Sequence, residues 1–377
     1  MKIAFNRPSI TDRERAYLDD ALSGGHYSGD GPYTRRCHTF FESTLGVPKA
    51  LLTTSCTHAL EMCAILLDIG PGDEVILPSF TFVSTANAFV LRGATPVFCD
   101  IREDTLNIDE ALLPALISPK TKAIVVVHYA GVGCEMDAIL DVAQAHDIPV
   151  VEDNAHGLFG KYKGRWLGTF GALATQSFHE TKNLTCGEGG ALLINDTKYI
   201  DRAEIIREKG TNRSRFFRGQ IDKYSWVDLG SSYLPSDLLA AILWGQIERW
   251  SSIQNRRREI WTRYDTELTE WADQNGARRP IVPDHCEQAW HMYALIMREP
   301  EDQQQLIARL KSHQVMAVFH YLPLHHAPIA QQMATRQPGC PVTERISERL
   351  VRLPFYYALK DEDQDRIIHL LLDRAAT

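Results

Sequence analysis

The stretch Pro149-Val-Val-Glu-Asp-Asn-Ala-His-Gly157 is a short apolar run that ends on a carboxylate and breaks into a polar turn. A run this short reads as a strand buried on both faces. Similar runs recur outward from it at Glu74–Leu77, Thr95–Cys99, Ala123–His128, Leu173–Phe178 and Ala191–Ile194. Helical patterns stand between them: Thr57–Asp68, with Leu60, Ala64 and Leu67 on one stripe, and Met136–His146. Near-continuous apolar strands alternating with helices predict an α/β fold whose mostly parallel sheet is covered on both faces. Ligands of such sheets sit beyond the carboxyl ends of the strands, which puts Asp153 at a binding edge.

On either side the character changes. Residues 1–35, with Ser23-Gly24-Gly25 and the turn-rich Tyr27–Pro32, read as an arm over a neighbour. Residues 36–245 form the large domain. From about Pro235, Leu238–Trp250 continues into Ile253–Leu268 as one long helix leaving the sheet. Residues 246–377 then mix strands (His291–Met297, Val315–His320) with helices (Gln303–His313, Glu344–Val351, Glu362–Leu372), a smaller α+β domain.

The chain has 377 residues and a formal net charge of −8, which argues against nucleic-acid binding because phosphate backbones select basic surfaces. No apolar run approaches the ~20 residues that span a bilayer, and the first residues carry no secretory pattern. Eight scattered cysteines without a CxxC pair fit neither a zinc framework nor a compact disulfide framework. Reduced thiols in a cytoplasmic protein, away from membranes, are the expectation.

Four segments carry chemistry. Thr175-Gln-Ser-Phe-His-Glu-Thr-Lys-Asn-Leu-Thr-Cys-Gly-Glu-Gly-Gly190 is a strand, a polar turn with the single Lys182, and a glycine-rich return. Glycines there permit tight folding beneath a bound group, and a pinned, desolvated lysine suits imine formation. Asp153 at its strand end suits a protonated ring nitrogen, although Asp is also a favoured helix N-cap. Thr53-Thr-Ser-Cys-Thr-His-Ala-Leu60 enters a helix whose free N–H groups suit an anion; it is equally an ordinary capping sequence. Leu77-Pro-Ser-Phe-Thr-Phe-Val-Ser-Thr85 places Phe80 and Phe82 at another strand end, either for stacking on a flat ring or for the core.

Taken in order (anion turn, aromatic, carboxylate, lysine), these segments resemble the DegT/DnrJ/EryC1/StrS sugar aminotransferases. The likeness runs from Ser28–Arg36 to His320-Tyr-Leu-Pro-Leu-His325. It implies a pyridoxal-phosphate (PLP) enzyme of fold type I. By that resemblance Lys182 is the Schiff-base lysine and the acid/base, and Asp153 pairs with the pyridine nitrogen. Phe82 stacks on the ring, His156 contacts it near the phenolic oxygen, and Ser177, Cys56 and Thr57 hold the phosphate, Cys56 through its backbone N–H. The resemblance implies no metal at His320, His325 and His326; His320 and Tyr321 are expected to touch substrate. The dehydratases of the family replace the lysine with histidine, which Lys182 does not follow. One departure is that Ser232 and Leu234 stand where many members carry an asparagine and an arginine that reach the neighbouring subunit's site; Ser232 is still expected to donate to the cofactor phosphate.

The loop Arg207–Arg218 concentrates cations in an acidic protein, and Arg213 and Arg215 are expected to bind a diphosphate. Lys209–Arg213 with Asp222–Tyr233 resembles the family members that serve enterobacterial common antigen synthesis. That implies L-glutamate as amino donor, dTDP-4-keto-6-deoxy-D-glucose as acceptor, and a homodimer with shared sites. The nearest rival is an aminotransferase acting on another carbon or another nucleotide sugar; a binding protein without turnover is the alternative from another class, and Lys182 and Asp153 together point away from it.

Overall fold

Seven strands, β1 (Lys49–Thr53), β2 (Glu74–Pro78), β3 (Thr95–Cys99), β4 (Thr121–Val127), β5 (Val150–Asp153), β6 (Leu173–Ser177) and β7 (Gly190–Ile194), form one sheet in the order β1-β7-β6-β5-β4-β2-β3. The computed structural model describes residues 2–333 and 339–373. Strands β3, β2, β4, β5 and β6 run parallel, and β7 is antiparallel to both β6 and β1. This is the mostly parallel, two-face-covered sheet that the sequence predicts.

Alternation along each strand sends side chains to opposite faces. Leu51 of β1 and Ala123 and Val125 of β4 pack with α3 (Cys56–Leu66) and α4 (Val83–Val90). On the other face, Ala50 and Leu52 meet α2 (Pro32–Leu45) and α7 (Asp237–Ile247), while Ile124 and Val126 meet α5 (Met136–Ala145). Each fully buried Leu or Val in these layers contributes roughly 1.5–3 kcal/mol.

A second core joins Ile3, Ile260, Tyr264, Tyr293, Leu295, Val351 and Ile367. It is built from α8 (Trp250–Glu267), α9 (Pro300–Ser312), α11 (Asp361–Leu372) and the antiparallel pair β8 (Ala294–Ile296) and β9 (Leu350–Arg352).

Several expectations are corrected. Residues 12–23, expected as part of an arm rather than core, form α1 (Asp12–Ser23), which has a Thr11/Glu14 capping box and packs on α7 of its own chain. Glu14 is buried there, accepting from Gln246 Nε2 (2.6 Å) and Arg249 (2.7 Å), and Gly245 leaves room for it. The expected long helix breaks at Glu248–Arg249, because α7 packs against the sheet layers while α8 packs into the second core. Val315–His320 is not a strand; it is held by single bridges, Ile3 to Val315 and Val318 to Arg352. The helix expected over Glu344–Val351 is α10 (Pro341–Ser347), started early by Asp100, whose carboxylate accepts from the N–H groups of Val342 and Thr343. Its last residues instead pair as β9. Strand β1, whose apolar run is only Ala50–Leu52, was absent from the expected set.

All eight cysteines are free. Among the described residues no helix is long and apolar enough to cross a membrane.

Candidate active site

The carboxyl ends of β1, β2, β4, β5 and β6 lie on one sheet edge, where Thr53 and Ser177 both pair with Gly190, and Asp153 pairs with Thr175. A cleft of about 1270 Å³ opens there. Lys182, Asp153, His156, Phe82, Cys56, Thr57, Ser177, His320 and Tyr321 all line it.

Lys182 lies in the return between β6 and β7, with its N–H donating to the His179 carbonyl (2.9 Å). Its neighbour Asn183 is buried and tied three ways: Nδ2 donates to the Ala289 carbonyl (2.6 Å) and to Gln254 Oε1 (2.9 Å), and Oδ1 lies 2.9 Å from His291 Nδ1. Buried Arg257 of α8 in turn donates to the carbonyls of Trp290 (2.9 Å) and His291 (2.6 Å). The second core thus pins the lysine. Burial pushes the Lys182 amine down to about 8; Asp153 and Cys56 oppose that shift, and Arg352 adds to it.

Asp153 ends β5. Its Oδ2 accepts from Thr85 Oγ1 (2.7 Å), which is bonded to Thr81 Oγ1 (2.8 Å), and its Oδ1 accepts from the Ala155 N–H (3.2 Å). Burial raises its pKa, and these bonds work against the rise. Among the described residues it makes no ion pair, so the carboxylate is aligned but has no cation of its own.

His156 stacks on His291 with centroids 4.2 Å apart and planes at 15°. Its Nε2 lies 3.4 Å from the Tyr321 hydroxyl, and its buried Nδ1 has no partner among the described residues. Burial holds His156, His291 and His320 far below the ordinary imidazole range, so all three are neutral. His320 Nδ1 meets the Tyr129 hydroxyl at 2.9 Å.

Ser55 caps α3 by accepting from the His58 N–H (3.1 Å), and the N–H groups of Cys56 and Thr57 find no acceptor among the described residues. A Cβ at Gly190 would stand 2.4 Å from Cys56 N, so only glycine lets this helix start approach the sheet so closely. The Cys56 thiol is engaged with Thr175 Oγ1 (3.4 Å), and Thr57 Oγ1 meets Ser84 Oγ (2.8 Å). Of the two phenylalanines, Phe80 is 1% exposed and belongs to the core, whereas Phe82 is 56% exposed on the cleft wall.

Three expected residues lie elsewhere. Arg213 pairs with Glu208 (3.3 Å) and covers the Phe217 ring, and Arg215 pairs with Asp201 (2.6 Å). Ser232 bridges the backbone of Glu208, and none of the three lines the cleft of its own chain. Conversely, Thr85, Asn183 and Arg352 were missed. The signal available for Arg352 was a lone cation in the apolar run Leu350–Phe355. His325, His326 and Glu344 gather within 4.8 Å, but both ring nitrogens of His325 are already bonded, to Ser79 and to Glu344.

A desolvated amine, an unpaired buried carboxylate, an aromatic wall and a helix start with free N–H groups suit a phosphorylated aromatic aldehyde. The comparisons agree. A spore coat polysaccharide biosynthesis protein, SpsC, of Bacillus subtilis is 35% identical over 98% of this chain and 96% of its own. The aminotransferase TlmJ of Streptoalloteichus hindustanus superposes with a TM-score of 0.91 at 31% identity, covering 98% of both chains. The PLP form of a sugar aminotransferase, Spr1654, of Streptococcus pneumoniae gives 0.89 at 27% identity and the same coverage. The sequence pattern of one family matches residues 8–372, and the chain therefore belongs to the DegT/DnrJ/EryC1/StrS aminotransferase family of PLP-dependent sugar aminotransferases.

Proposed function

We propose that Lys182 Nζ holds the PLP aldehyde and that Asp153 faces the ring nitrogen. In this reading Phe82 and His156 flank the ring, and the phosphate sits on the N–H groups of Cys56 and Thr57 beside Ser177. The observation carrying this reading is that half-buried Lys182 and buried Asp153 share one cleft that also takes in the start of α3. When bound, PLP supplies an electrophilic carbon and a ring that accepts electrons from the donor's Cα. Asp153 keeps a proton on the ring nitrogen. Lys182 Nζ would take up the donor's Cα proton and give it back, acting as the acid/base of the site. Neutral His156 holds the ring oxygen without adding charge.

The amino donor is L-glutamate and the acceptor dTDP-4-keto-6-deoxy-D-glucose, giving dTDP-4-amino-4,6-dideoxy-D-galactose and 2-oxoglutarate by alternating half-reactions. Support for this acceptor comes from the Lys209–Tyr233 resemblance. The chain acts as a homodimer: Phe217, Trp226, Val227 and Leu229 are at least half exposed on the loop that also holds Arg213, Arg215 and Ser232. These residues serve the partner's cleft rather than their own.

Borohydride reduction followed by peptide mapping should place a pyridoxyl label on Lys182; a label elsewhere, or none, removes the assignment. Incubating the enzyme with glutamate and a panel of 3-keto and 4-keto nucleotide sugars should yield the 4-amino galacto product by NMR. A different sole product would replace the acceptor and leave the lysine assignment standing.

A further inference from the structure

Arg352 and Lys182 are the two Lys or Arg side chains among the residues lining the cleft. Arg352 ends β9, and its backbone is fixed by reciprocal bonds with Val318 (2.7 and 3.1 Å). The guanidinium lies over the Phe5 ring (4.6 Å), and its buried Nε has no acceptor. No carboxylate among the described residues comes within ion-pair distance of it. The two fully buried arginines are by contrast satisfied, Arg207 by Asp30 and the Leu52 carbonyl and Arg257 by two carbonyls. A partly buried cation left open toward a cleft carries a desolvation cost that a bound anion relieves.

We propose that Arg352 is the carboxylate-binding residue for the amino donor and for the oxo acid it becomes. The inference rests on the reading of Lys182 above. A donor whose Cα–H must reach Lys182 Nζ brings its carboxylate into the same part of the cleft, and Arg352 lies close enough to Lys182 to lower the pKa of its amine. The planar fork of a guanidinium matches a carboxylate bidentately. Phosphate has a separate seat at the start of α3, where the N–H groups of Cys56 and Thr57 are free.

The test titrates PLP-loaded enzyme with glutarate, a dicarboxylate without an amine, by calorimetry. Arg352→Met should weaken glutarate binding on the order of 10–100-fold, and Arg352→Lys by less, with PLP content unchanged. Unchanged glutarate affinity in Arg352→Met overturns the inference. Loss of PLP from that variant also overturns it, by assigning the arginine to the phosphate. The wild-type enzyme offers an arm that needs no variant: glutarate should compete with glutamate and uncharged glutaramide should not, and equal competition by both overturns the proposal. Lys182 labelling of the same wild-type preparation is independent of all these outcomes. A failed label therefore sinks the PLP reading, and a failed titration sinks only Arg352.

Discussion

Lys182 illustrates how burial selects chemistry at a single residue. An amine in water keeps its proton to about 10.5; here desolvation, helped by Arg352, brings it to about 8. A depressed amine is neutral above that value, and only the neutral form attacks an aldehyde. In cofactor-free protein the rate of PLP capture, followed by colour, should rise about tenfold between pH 7 and 9 and then level off. A rate still climbing beyond pH 10 would mean that the lysine is solvated. The same shift has a stability sign: between about 8 and 10.5 the unfolded chain binds a proton that the folded chain does not, so this group makes folding more favourable as pH rises through that window. Asp153 is the complementary case, a carboxylate raised by burial, aligned by Thr85, and paired only when a cation enters the cleft.

Among the elements, α3 and β7 depend on each other. The free N–H groups of α3 reach the sheet edge because Gly190, the first residue of β7, has no side chain. Gly190→Ala would drive a methyl against backbone atoms of Ser55 and Cys56 that cannot swing aside. We expect a loss of about 1–3 kcal/mol in stability, together with weaker PLP retention, read from melting and from absorbance after dialysis. Unchanged retention would separate the helix start from the phosphate seat. The loop carrying Lys182 has a comparable dependence on α8, through Arg257, the 289–291 segment and Asn183.

At the scale of the molecule, the cleft is closed by groups drawn from far along the chain: Phe5, His291, Tyr321 and Arg352 face Lys182. The segment 216–229 remains outside that closure. There Trp226 is 77% and Phe217 69% exposed, large apolar side chains that a partner surface would cover. Sedimentation should give a particle of twice the 42.6 kDa chain mass. Trp226→Glu should shift it toward monomer and lower turnover without changing the Lys182 label. An active wild-type monomer at working concentration would end the shared-site reading.

The local sequence determined six of the seven sheet strands, β2 to β7, and the residues at their ends. Apolar period, strand length and turn chemistry are short-range properties, so the sheet and the Lys182, Asp153 and Cys56–Thr57 segments were legible before any coordinates. The folded chain decided what depends on distant partners. Burial of α1 rests on a glycine in α7, the break before α8 on two separate cores, and β9 on pairing with β8. Arg352 was silent in sequence because a lone arginine acquires meaning only when its neighbours fail to neutralise it, and those neighbours are set by long-range packing.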